Sequence, residues 1–258
     1  MAVVADRAER SVALAHDQRR NTMRGGGMLS ALSACVLAYG YGSIPFVYLL
    51  GRWRHVDLRE RGSGNVGASN LWKASGSRLA LVGWIADASK GLVPAIVARR
   101  LGCSRATSDM AAVCGVAGQC WPLFLGLRGG RGISAFVGAA LWINPRAWAA
   151  SLLPIIGGSL WRIATSLGPR YHRMERQLKA TRSKSVPFGC FLGVTSFPIV
   201  CQLLPGRDRG ATFAPTLLTT VIVLRRLTAR LPDDATHGPA IRLAALWYRL
   251  LYDRNTSE

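Results

Sequence analysis

The run from Leu29 to Leu50 contains no charged side chain. At about 22 residues and 1.5 Å of rise per residue it spans roughly 33 Å as a helix, which matches a hydrocarbon core. Apolar runs recur at Leu79 to Ala98, at about Met110 to Leu127, at Pro187 to Pro205 and at Ala211 to Leu224. Between them Gly132 to Leu167 is almost continuously apolar, broken at Asn144-Pro145-Arg146, and long enough for two helices joined by a tight turn. The pattern predicts an all-α fold, a polytopic membrane helix bundle of about seven transmembrane helices. Composition supports this: 50% of residues are hydrophobic while the net charge is +20, a combination that conflicts in a soluble domain and agrees in a multi-pass protein with basic cytosolic loops.

The loops carry the charge. Residues 51–78 hold Arg52, Arg54, Arg59, Arg61, Lys73 and Arg78 against Asp57 and Glu60, and residues 168–186 hold six basic side chains against Glu175. Both loops are expected in the cytosol. By alternation Arg99, Arg100 and Arg105 then fall on the far side, against that trend, with snorkelling near a helix end as the one physical account. Residues 1–27 read as a polar extension, disordered or cytosolic, or as the product of an early start codon. Residues 28–231 form the membrane domain, and 232–258 a tail in which 240–252 has the pattern of an amphipathic interfacial helix. A pI of about 11.2 raises nucleic-acid binding, but the basic residues sit between apolar runs and form no stripe. Six cysteines and four histidines form no CxxC, HxxxH or HExxH, so no metal site and no cofactor is expected.

Three stretches carry chemistry. Gly118 to Ser134 ends in Arg128-Gly129-Gly130-Arg131-Gly132, where backbone N–H groups can turn toward an anion and guanidiniums add forked donors. It reads as a phosphate-binding loop, or as a glycine turn whose arginines meet lipid headgroups. Arg61 to Asn70, RGSGNVGASN, offers small and amide side chains to a polar ligand, or is a turn-rich linker. Asp87 and Lys90 lie within an apolar run at i and i+3, on one helical face, where ionisable groups pair, face the bundle interior or do chemistry.

The ordered set GSIPF (Gly42 to Phe46), GSGNVGASN (Gly62 to Asn70), DASKG (Asp87 to Gly91) and GQCWPLFLGLRGGRG (Gly118 to Gly132) resembles the bacterial acyl-phosphate-dependent glycerol-3-phosphate acyltransferase family, PlsY. The resemblance implies a plasma-membrane, multi-pass enzyme with cytosolic active-site loops. Such an enzyme moves a fatty acyl group from acyl phosphate to the sn-1 hydroxyl of glycerol 3-phosphate, giving lysophosphatidic acid, with neither acyl-CoA nor a metal. It implies Ser63, Asn65 and Lys90 as catalytic residues. It implies substrate contacts from Gly62, Gly64, Gly67, Ser69, Asn70, Lys73, Asp87, Gln119, Arg128, Gly129, Gly130, Arg131 and Gly132. Its partners are acyl phosphate, glycerol 3-phosphate and the bilayer.

The chain departs from the family pattern at several points. Ser69 stands for Thr, Lys73 for Arg, and Arg128 and Arg131 for lysines, which keeps charge and changes donor geometry. Gln119 replaces a His, and the third motif, HRENIxRL, corresponds here to Arg225-Arg226-Leu227-Thr228-Ala229-Arg230-Leu231. Acyl phosphate is already activated, so the protein's part is orientation and charge neutralisation, with a substrate phosphate oxygen taking the hydroxyl proton. A divergent homologue that binds phosphorylated lipid precursors without this turnover, and a channel or transporter, are the competing readings.

Overall fold

The computed structural model describes residues 27–61, 64–167, 185–204 and 213–228. Gly62 and Ser63, and the expectations for residues 1–26, 168–184 and 229–258, lie outside the described residues. Those described are all helix and loop, with no strand.

The first apolar run forms α1 (27–43) and α2 (Phe46–Trp53), separated by Ile44-Pro45. Pro45 has no N–H to give and disfavours helix at Ile44, so the rod breaks there. A short α3 (Ala68–Ser75) follows in the polar loop, then α4 (Ser77–Arg100). Next comes α5 (Arg105–Cys120), capped by Ser104, whose Oγ accepts the Thr107 N–H at 3.1 Å. The expected third span, about Met110 to Leu127, is corrected at both ends. The cap starts the helix at Arg105, and Pro122 ends it at Cys120, so that Trp121 to Gly132 is loop with one 3-10 turn at Leu123–Leu125. Then come α6 (Ile133–Ile143), α7 (Pro145–Leu167), α8 (Ser185–Leu203) and α9 (Phe213–Thr228). The break between α6 and α7 is at Asn144, whose Oδ1 accepts the Arg146 and Ala147 N–H groups at 3.1 Å.

Three helical segments among the described residues are long and apolar enough to cross a membrane: Gly27–Trp53, which comprises α1 and α2, Arg78–Arg100 and Val186–Leu203. The other runs form shorter or less apolar helices packed among these. Surface and interior have the membrane arrangement. Leu32, Leu37, Ile85, Leu153, Leu160 and Ile199 face outward, whereas Ala95, Ala111, Ala112, Ala135, Ala139 and Ala147 are fully buried. Small residues inside let backbones approach closely, and lipid is the medium in which large apolar side chains face out at no loss. A Cβ on Gly91 of α4 would collide with the Ala135 carbonyl oxygen and Ala139 of α6, and one on Gly115 of α5 would strike the Lys90 carbonyl oxygen. These contacts seat α4 against both neighbours.

Two of the three arginines expected on the far side have local partners. Arg99 Nη1 donates to the Cys103 carbonyl at 3.1 Å, beyond the end of α4. Arg105 pairs with Asp109 at 3.0 Å, donates to the Trp142 and Ile143 carbonyls at 2.9 and 3.0 Å, and lies over the Trp142 ring. Their positions follow from helix-end carbonyls and a structural ion pair rather than from topology alone.

Candidate functional site

The polar loop after α2 is fastened at two points. Asp57 accepts from the Arg59 backbone N–H at 3.0 Å, from its guanidinium at 3.1 and 2.7 Å, and from Tyr48 Oη at 3.2 Å. The Arg59 side chain and backbone hold the Asp57 carboxyl well below the usual carboxylate range. Farther on, buried Asn70 places Nδ2 within 3.0, 2.8 and 3.0 Å of the carbonyls of Leu58, Arg61 and Asn65, its two N–H groups shared among the three. One amide from α3 thus gathers three carbonyls of the preceding loop, bracketing Gly62 and Ser63. Asn65 is half-buried with its amide over Gly67, and Gly67 stands at the N-cap of α3. Ser69 and Lys73 are exposed on α3.

On α4 the i, i+3 spacing gives the contact it predicts. The Lys90 Nζ lies 3.0 Å from Asp87 Oδ1 as an ion pair. Gln119, at the end of α5, completes the unit: its Nε2 donates to Asp87 Oδ2 at 2.9 Å and its Oε1 accepts from Lys90 Nζ. Asp87 and Lys90 are each 1% exposed and Gln119 7%. A primary amide suits this place, because it presents a donor to the carboxylate and an acceptor to the ammonium at once. The unit has no net charge, and Lys90 also lies 5.2 Å over the Phe46 ring.

The glycine-arginine loop packs directly on this triad. The Gly130 N–H donates to the Gln119 carbonyl at 3.1 Å, satisfying an acceptor left open at the end of α5. Only glycine fits at 129, where a Cβ would run into Pro122 and the Gln119 and Cys120 carbonyls. Gly132 has φ +75 and a Cβ there would meet Cys120 Sγ and Ile222, so the turn into α6 requires glycine on two counts. Arg128 is exposed at the outer edge and Arg131 is half-buried.

A small cleft opens where these segments meet, lined by Pro45, Val47, Val66, Asp87, Gln119 and Gly129-Gly130 among others. Of the site residues expected from sequence, Asp87, Gln119, Gly129 and Gly130 line it, with the 64–70 loop represented by Val66. Lys90 stands out of solvent contact and is not in the lining. Sequence reasoning gave no site role to Arg225 of α9, whose Nε and Nη2 donate to the Gly130 and Gly129 carbonyls at 3.0 and 2.6 Å. The signal was present in the third motif, where the absent His, Glu and Asn drew attention away from the arginine that remains.

Comparison with known proteins gives concordant results. Residues 32–230 match the family described as glycerol-3-phosphate acyltransferase. The chain is 31% identical over 235 residues to glycerol-3-phosphate acyltransferase 4 of Dehalococcoides mccartyi (strain CBDB1), covering 88% of this chain and 91% of that protein. It is 31% identical over 191 residues to the glycerol-3-phosphate acyltransferase of Pseudomonas paraeruginosa (strain DSM 24068 / PA7), covering 74% and 88%. Among solved structures it is similar to the integral membrane glycerol 3-phosphate acyltransferase PlsY (YgiH) in its glycerol 3-phosphate form. The TM-score is 0.61 and the identity 27%, over 76% of this chain and 88% of that one.

Proposed function

The chain belongs to the glycerol-3-phosphate acyltransferase family, and on that footing we propose that its cleft acylates glycerol 3-phosphate to lysophosphatidic acid with acyl phosphate as donor. The PlsY structures in glycerol 3-phosphate and lysophosphatidic acid forms support the acceptor and the product. One observation carries the reading for this chain: Val66 of the 64–70 loop, Asp87, Gln119 and Gly129-Gly130, far apart in sequence, line one cleft in a bundle with a lipid-facing surface.

In the proposed reaction the sn-1 oxygen attacks the acyl carbonyl carbon, the bond from that carbon to the phosphate oxygen breaks, and the hydroxyl proton passes to a phosphate oxygen. Phosphate leaves as the stable product, so no side chain need act as base. Ser63 and Asn65 orient the groups, while Gly62, Gly64 and Gly67 allow close approach. Arg128 and Arg131 neutralise phosphoryl charge, while Gly129, Gly130 and Gly132 let the loop close on the ligand, with Lys73, Ser69 and Asn70 on the acceptor side. Asp87 and Gln119 form the polar floor, with Lys90 paired to them from behind. The basic loops support a cytosolic opening for the cleft.

A second reading, a member that binds phosphorylated lipid precursors without turnover, is favoured by Lys90, whose ammonium is enclosed by Asp87 and Gln119. Purified protein given acyl phosphate and labelled glycerol 3-phosphate tests both. Labelled lysophosphatidate is the expected result; binding of glycerol 3-phosphate with no product selects the second reading.

A further inference from the structure

We infer that Gln119 is a positioning residue that ties the Asp87–Lys90 pair to the glycine loop through a group whose charge does not change with pH; this rests on the reading of the cleft as the acyl-transfer site. Three side chains close a ring of contacts: Asp87 Oδ1 with Lys90 Nζ at 3.0 Å, Gln119 Nε2 with Asp87 Oδ2 at 2.9 Å, and Lys90 Nζ with Gln119 Oε1. The ring fixes which way the amide faces, since its NH2 must meet the carboxylate and its oxygen the ammonium. The main chain of the same residue accepts the Gly130 N–H at 3.1 Å, and a Cβ on Gly130 would lie 3.0 Å from Gln119 Nε2. One residue of α5 thus joins the charged pair of α4 to the loop, with its amide turned to the pair.

Lys90 is an ammonium on a flexible four-carbon stem, and Asp87 on its own helix leaves that stem free to swing. A second acceptor from another helix removes the freedom. An imidazole at 119 could make the same bridge while neutral, with one N–H for Asp87 and one lone pair for Lys90. Protonated, it would offer two N–H groups and no acceptor, and the tie would open. The other titratable or charged groups near Gln119 are Cys120 beside it, Tyr39 of α1 on the Trp121 carbonyl, and Arg225 of α9 on the Gly129 and Gly130 carbonyls. An imidazolium would therefore add a third cation to a region that holds Lys90 and Arg225, where Asp87 already has Lys90 as its partner. An amide escapes this, because it keeps its donor and its acceptor at every pH the cell meets.

The test compares Gln119→His and Gln119→Leu with wild type in the full-length, membrane-extracted protein, by thermal unfolding and by lysophosphatidate formation from about pH 5 to pH 8. At the alkaline end Gln119→Leu should lose about 10- to 100-fold in kcat/KM, mostly in kcat, the scale of hydrogen bonds to charged groups. Gln119→His should lose less there, because neutral imidazole restores the bridge. On acidification the unfolding temperature of Gln119→His should fall further below wild type, since burial opposes its charged form and the cost grows as pH drops through the histidine range. The gap between Gln119→Leu and wild type should stay constant. A Gln119→Leu enzyme with wild-type kcat/KM overturns the proposal. So does Gln119→His no more active than Gln119→Leu at the alkaline end, or a Gln119→His unfolding gap that is the same at both ends. Should Gln119→Leu not fold, the Gln119→His gap decides alone. If wild type makes no lysophosphatidate yet that gap opens on acidification, acyl transfer fails and the tie stands. Normal wild-type turnover with an unaffected Gln119→Leu gives the reverse.

Discussion

Removing Lys90 alone should destabilise the protein more than removing it together with Asp87, with the same effect on turnover. In Lys90→Met the Asp87 carboxylate, 1% exposed, loses the ammonium at 3.0 Å and keeps only the Gln119 amide at 2.9 Å. Breaking one side of a buried ion pair costs about 3–5 kcal/mol, because the remaining charge cannot reach water. At about 2–4 °C per kcal/mol for a chain of this size, the unfolding temperature in detergent should drop roughly 6–20 °C. In Asp87→Leu/Lys90→Met both charges are gone, and Gln119 is the one polar group left facing an apolar patch. Replacing a buried pair with apolar residues is about neutral, and the stranded amide costs about 1–3 kcal/mol, so the double variant should be clearly more stable than Lys90→Met. Turnover should be lower by at least about 100-fold in both, the usual scale for deleting one charge-stabilising group from a site. The assay is a double-mutant cycle by thermal unfolding with lysophosphatidate formation measured on the same samples. A double variant no more stable than Lys90→Met would refute the buried-pair argument. A stable double variant with wild-type turnover would remove Lys90 from the chemistry.

Gly129→Ala should cost about 1–3 kcal/mol of overpacking, since the new methyl meets Pro122 and two carbonyls, and should lower activity at saturating substrate; wild-type stability would show that the loop yields. Asn70→Ala leaves the carbonyls of Leu58, Arg61 and Asn65 without their shared donor, so KM for glycerol 3-phosphate should rise while Asn70→Asp, which repels those carbonyls, does worse. Asp57 is held below the usual carboxylate range by Arg59, so its contribution is fully present above about pH 4 and is lost as pH falls through the folded value. Limited proteolysis of the 54–61 loop should therefore be slow at pH 7 and faster at pH 3, with Asp57→Asn already fast at pH 7; an Asp57→Asn loop as resistant as wild type at neutral pH would refute it.

Local features were legible wherever periodicity or a breaker residue decides them. The break at Asn144-Pro145 and the shared face of Asp87 and Lys90 follow from turn chemistry and the 3.6-residue repeat. The end of α5 was misjudged because Leu123 to Leu127 continues the apolar run, while Pro122 had already stopped the helix. Harder to see were pairings set by helix packing. Gln119 is 29 residues from Lys90 and 32 from Asp87, and nothing local distinguishes an amide that bridges two charges from one that meets substrate. Asn70 posed the same difficulty, since its amide tethers carbonyls of the preceding loop. Arg225 was masked by the motif around it, in which absent residues were easier to notice than the one that closes on Gly129 and Gly130.

The Arg225 bonds also impose an order in time. A ribosome delivers the glycine loop first, and some 95 residues of chain must leave the exit tunnel and enter the bilayer before the guanidinium arrives to meet it. Until α9 is inserted the loop lacks its brace, so a nascent or truncated chain has the early motifs without a finished pocket. Competence waits on α9, the last of the described helices.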